Sequence, residues 1–114
     1  MLFDSHCHLT DSAFASDREE VVARAVAAGV AGMVTICSDL RDLDAILQLT
    51  RNHQELWGTA GIHPHEARHG SPEALERVRE AAQGQPRIRA VGECGLDFHY
   101  DHSPRETQRA VFRA

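Results

Sequence analysis

The residues that could do chemistry stand at the ends of short apolar runs. His6 and His8, one residue apart, close the run Met1-Leu2-Phe3-Asp4-Ser5. Side chains two positions apart on a strand project to the same face. The two imidazoles can therefore grip one divalent ion, histidine being the commonest metal ligand; a polar strand end is the competing reading. Glu93 follows another apolar run, within Ala90-Val91-Gly92-Glu93-Cys94-Gly95-Leu96-Asp97. Gly92 and Gly95 leave room for a second group to approach its oxygens. Alone, Glu93 reads as a solvated strand-end acid. Beside the histidine pair it reads as a ligand, able to bridge ions about 3.5 to 4 Å apart. Gly61-Ile62-His63-Pro64-His65 leaves a third run, where Pro64 stiffens the turn and holds His63 extended. His63 or His65 is expected to contact substrate, the alternative being the surface histidines of a turn. Asp4, on the same side as His6, is a candidate to orient a ligand from behind. Asp97 could do the same or simply cap its loop. His53, His69, His99 and His102 read as surface residues, and Trp57 as core.

The elements that must hold these groups follow an alternating pattern. Strand candidates are residues 2–5, 32–37, 56–61 and 87–93. Met33-Val34-Thr35-Ile36 is nearly continuous in apolar character, as parallel strands covered on both faces require. Ser16-Asp17-Arg18-Glu19 reads as a capping box opening a helix with Val21, Val22, Ala25 and Val26 inward and Gly29 at its end. Leu40, Leu43, Ile46 and Leu47 mark a second helix, and Ser71-Pro72-Glu73 opens a third that buries Leu75 and Val78. Ser103-Pro104-Arg105-Glu106 carries the signals of a fourth. Such βαβ alternation calls for a parallel sheet with right-handed crossovers. A (β/α)8 barrel of about 250 residues spends about 31 on each unit, so this chain supplies somewhat under four. The predicted fold is α/β, a TIM-barrel type of which residues 1–114 form roughly the first half. An open doubly wound sheet is the competing architecture, weakened by the lack of a glycine-rich phosphate loop after the first strand.

Composition narrows the partners. The hydrophobic fraction of 42% and charged fraction of 25% are ordinary for a globular domain. A net charge of -5 argues against a basic cradle for nucleic acid, although bound cations can reverse the local field of a site. No apolar run approaches the roughly 18 residues of a membrane span, so the chain reads as cytoplasmic with no membrane partner. Cys7, Cys37 and Cys94 have no C-x-x-C spacing and read as reduced thiols.

Three motifs together, Phe3-Asp4-Ser5-His6-Cys7-His8-Leu9, Gly61-Ile62-His63-Pro64-His65 and Val91-Gly92-Glu93-Cys94-Gly95-Leu96-Asp97, resemble those of the TatD-type metal-dependent deoxyribonucleases. The segment 14–22 and the tail 108–112 are similar to that family too. The resemblance implies an amidohydrolase-like barrel holding two divalent ions (Mg, Mn or Zn), with His6 and His8 on one and Glu93 bridging both. It implies exonuclease-like hydrolysis of DNA phosphodiesters by metal-activated water, with His63 near the substrate phosphate. Family members continue for another half barrel, which supplies two further histidines and an aspartate that this chain lacks. A truncated domain with little activity of its own is therefore expected. A half barrel also leaves its first and fourth strands as edges and its inner face open, which invites self-association. A barrel hydrolase of another ester or amide, such as aminoacyl-tRNA, and a non-catalytic self-associating fragment are the rival readings.

Overall fold

The computed structural model describes residues 1–114 as four parallel strands, each followed by a helix. In chain order these are β1 (Leu2–Cys7), α1 (Arg18–Ala27), β2 (Val30–Thr35), α2 (Leu40–Asn52), β3 (Leu56–Ala60), α3 (Pro72–Gly84), β4 (Ile88–Val91) and α4 (Arg105–Arg113). Short 3-10 helices at Ser12–Phe14 and Pro64–His69 interrupt two of the connections. The strands pair in the order β1-β2-β3-β4, each pair parallel, which is the half-barrel that the alternation predicts.

Local side-chain caps set two of the four α-helix starts. The Ser71 hydroxyl accepts the Ala74 N–H at 3.2 Å, with Pro72 in the first turn of α3. The Asp39 carboxylate accepts the Arg41 N–H at 2.8 Å at the start of α2. Two expected capping boxes differ. α1 begins at Arg18 without a side-chain cap, because the Asp17 carboxylate faces Arg24 at 3.2 Å instead. Ser103 is wholly buried; its hydroxyl donates to the His65 carbonyl at 2.7 Å and accepts the Arg68 N–H at 3.2 Å. That hydroxyl satisfies backbone groups of the neighbouring 3-10 turn.

Packing falls on the helix-covered side of the sheet. Cys37, Leu43, Ile46, Ala60, Ile62, Val78, Ala81 and Ile88 form one buried cluster. Leu9, Val22, Met33, Leu49 and Leu56 form a second one. Val26 lies outside both and is exposed, so the inward stripe of α1 centres on Val22. Alternation along β3 sends Leu56 into the core and its neighbour Trp57 to the opposite face. Trp57 is accordingly half-buried rather than a core residue, its ring 5.7 Å from that of Phe3. Gly32 makes this contact possible, since a Cβ there would lie 2.4 Å from the Phe3 ring. His53, expected at the surface, is also half-buried and bonds Glu19 at 2.6 Å.

Candidate metal centre

β1 runs two residues further than expected and carries one extra residue relative to β2 between Asp4 and Cys7. A bulge of this kind re-aims side chains and strands a backbone N–H. Here the His6 N–H is met by the Asp4 carboxylate at 3.0 Å. Asp4 thus fastens the backbone of His6 rather than its ring. The Nε2 atoms of His6 and His8 come within 3.2 Å of each other.

Glu93 arrives from the other edge of the sheet. β4 ends at Val91, two residues before it, because the chain turns inward across the strand ends. The Gly92 N–H donates to the Ala60 carbonyl at 3.0 Å, and the Glu93 N–H to the Cys37 carbonyl at 2.8 Å. Thr59, buried in β3, links the same two segments: its hydroxyl accepts the Cys37 N–H and donates to the Gly92 carbonyl. This swerve places the Glu93 carboxylate 3.9 Å from His6 Nε2 and 3.7 Å from His8 Nε2. One ligand atom from each of the three residues lies within 4.8 Å of the others. The Ser38 hydroxyl donates to Glu93 at 3.3 Å, while the Ser38 carbonyl accepts the His63 N–H at 2.8 Å. Neither Ser38 nor Thr59 has a signal in sequence spacing; both work through contacts distant along the chain.

His63 and His65 line a cleft of about 660 Å³ together with Glu93, Asp97 and Tyr100. His63 opens the 3-10 turn, its Nδ1 accepting the His65 N–H at 3.1 Å. Burial, reinforced by the neighbouring His65, pushes the His63 pKa below its ordinary 6.5. A neutral ring whose Nδ1 accepts carries its proton on Nε2. The Nε2 of His65 is bonded to the Asp97 carboxylate. Asp97 therefore orients His65, not the His6–His8 pair. Its pKa falls from 3.8 to about 2, through the His99 N–H first and then the His65 ring and the Tyr100 N–H.

A second group of possible ligands, Asp39, Glu66 and His69, lies at the start of α2. It already contains a cation: Arg41 Nε donates to Asp39 at 3.0 Å and its Nη2 stands 3.7 Å from Glu66. Burial raises the Asp39 pKa, but the bonds from Arg41 and His69 outweigh it and hold the carboxyl below its usual range. The arrangement is an ion-pair network. The three cysteines are free, with Cys37 buried and Cys94 exposed. No helix is long and apolar enough to cross a membrane.

Comparison with known proteins agrees with this fold. The family model described as TatD related DNase matches residues 3–114. The chain is 43% identical over 113 residues to the 3'-5' ssDNA/RNA exonuclease TatD of Salmonella typhimurium. It is 41% identical to the protein of the same name from Escherichia coli K12. In both cases the match covers 99% of this chain and 43% of the relative, so the chain spans less than half the length of these proteins. The solved structure of a TatD homologue from Escherichia coli K12 superposes with a TM-score of 0.87 at 30% identity, covering 98% of this chain and 44% of that one. A TatD family hydrolase from Entamoeba histolytica, 22% identical, shares the fold with the same TM-score. The four-stranded sheet that brings Glu93 to His6 and His8 is thus the half-barrel of a known fold, and the chain belongs to the TatD-related DNase family.

Proposed function

We propose that residues 1–114 are the N-terminal, metal-binding portion of a barrel hydrolase that cleaves phosphodiester bonds in single-stranded nucleic acid. The observation that carries this reading is the meeting of His6, His8 and Glu93 within 4.8 Å, from opposite edges of the sheet. Two relatives named as 3'-5' ssDNA/RNA exonucleases support the substrate class. The donor set fits a divalent ion. Imidazole and carboxylate suit Mg, Mn or Zn, and no arginine or lysine is paired with Glu93 to compete for its charge. An ion there supplies Lewis acidity, lowers the pKa of bound water and offsets charge on phosphoryl oxygens.

The chain's own residues do the rest. Glu93, held by Cys37 and Ser38, would bridge a pair of ions. His63, neutral and carrying its proton on Nε2, offers a donor to a phosphate oxygen in the cleft it lines. His65 lines the same cleft, fixed by Asp97. Three protein ligands are few for two ions, so these residues alone bind metal weakly and turn over far more slowly than a full barrel.

The test is calorimetric titration with Mn2+ alongside hydrolysis of end-labelled single-stranded DNA, duplex DNA and aminoacyl-tRNA. Metal binding by the wild-type chain, abolished in a His6→Ala/His8→Ala double variant, is the expected result. Undiminished binding in that variant would sink the site, and preferential ester cleavage of aminoacyl-tRNA would move the substrate class. A second reading, self-association, rests on the unpaired β1 and β4 edges and on Leu2, Phe3 and Val91, each more than half exposed. Mass measured by light scattering across a concentration series tests it; a monomer at all concentrations excludes it.

A further inference from the structure

The cleft lined by Glu93 and His63 is lined also by Tyr100, the single tyrosine of the chain. The residue is 65% exposed and belongs to neither buried cluster. The neighbouring Phe98 is treated differently: the guanidinium groups of Arg105 and Arg109 cover it at 4.9 and 5.1 Å. Tyr100 instead stands parallel to the His102 ring, 5.7 Å between centroids and 6° between planes. The His65 ring meets Tyr100 edge-on at 5.7 Å.

The segment that presents this ring is braced. Asp97 accepts the N–H groups of His99 and Tyr100. Gln108, buried in α4, accepts the Asp97 N–H and donates to the carbonyls of Asp97 and Ser103. Arg105 pairs with Asp101 through two bonds of 2.8 Å. Of the cations near this wall, Arg105 and Arg109 are paired with Asp101 and Glu106, and Arg68 donates to the His102 carbonyl at 3.3 Å. An aromatic face recognises an unpaired base without any charge, and with little regard to its identity.

We propose that Tyr100, supported by His102, is a stacking platform for an unpaired nucleobase of the strand whose phosphate lies at Glu93 and His63. The proposal rests on the nuclease reading above and deepens it. It names the unstacked base as the feature that selects single strands over duplex. Stacking on one aromatic residue is worth about ten-fold in affinity.

Binding of fluorescein-labelled hexathymidylate and of an abasic hexamer of equal length, each measured by anisotropy in Ca2+, tests it. Wild type is expected to favour hexathymidylate by about ten-fold. Tyr100→Ala should erase that preference and Tyr100→Phe keep it. Cross-linking of a 5-iodouracil hexamer, mapped by mass spectrometry, should fall on Tyr100. Circular dichroism and Mn2+ titration check that the Tyr100→Ala chain folds and keeps its metal site. Equal binding of both hexamers, unchanged in Tyr100→Ala, would overturn the platform and leave the nuclease reading standing. Failure of wild type to bind either hexamer would overturn both.

Discussion

Ser38 joins two parts of the site that are far apart in sequence: its hydroxyl donates to the Glu93 carboxylate at 3.3 Å, and its carbonyl holds the His63 N–H at 2.8 Å. It stands just past the end of β2, between the strand that carries the histidine pair and the one that leads to Glu93. A residue that touches no substrate in this arrangement thereby sets both the ligand and the cleft wall.

Removing that hydroxyl should show in metal binding before it shows in stability. Partners behind a ligand typically cost about ten-fold or more in metal affinity when lost. Ser38→Ala is expected to weaken Mn2+ binding by about ten-fold, with the melting temperature nearly unchanged. Unaltered affinity would mean that the Glu93 backbone bond to Cys37 is sufficient to hold the carboxylate.

Gly61 lies beneath the same crossing. A Cβ there would stand 2.5 Å from the Gly92 carbonyl carbon and 2.7 Å from the Glu93 oxygen, both backbone atoms that cannot swing aside. Gly61→Ala is expected to cost about 1–3 kcal/mol, the usual range for overpacking, and to displace Glu93 from the histidines. Gly84, at the end of α3, has nothing within 4 Å of such a Cβ. Gly84→Ala should stabilise the chain by about 0.5–1 kcal/mol. Denaturant unfolding of the two variants reads both signs.

Asp97 ties acid stability to the cleft. Its pKa drops from 3.8 in an ordinary setting to about 2 in the folded chain, so above pH 4 the folded form gains from its charge. That gain is fully present above the ordinary value and fades as pH falls towards about 2. Asp97→Asn should therefore flatten the pH dependence of stability in this acid window. It should also free the His65 ring, a change visible in the NMR signals of that ring.

Thiol chemistry should separate the three cysteines. Burial pushes the Cys7 and Cys37 thiols up to about 11, leaving almost no thiolate at neutral pH, whereas Cys94 is exposed. One thiol is expected to react promptly with a disulfide reagent in the folded chain, and the other two only on unfolding. Prompt reaction of all three would mean that the packing around Cys37 opens readily.

The sequence by itself determined the kinds of groups and the order of elements. His6 and His8 share a face because a strand alternates every second residue, and Ser71-Pro72 starts a helix because both residues act within one turn. Such signals are local, so spacing alone carries them. Family membership was equally legible in the motifs around His6, His63 and Glu93. Tertiary structure decided what those groups do to one another. The bulge that re-aims His6, the swerve of residues 92–93 beyond the end of β4, the Ser38 link and the pairing of Asp97 with His65 each join residues from different elements. A further case is Trp57, apolar and in a strand yet half-buried, because its face of the sheet carries no helix. Contacts between distant segments form only when the chain closes on itself, and no periodicity along it records where they will fall.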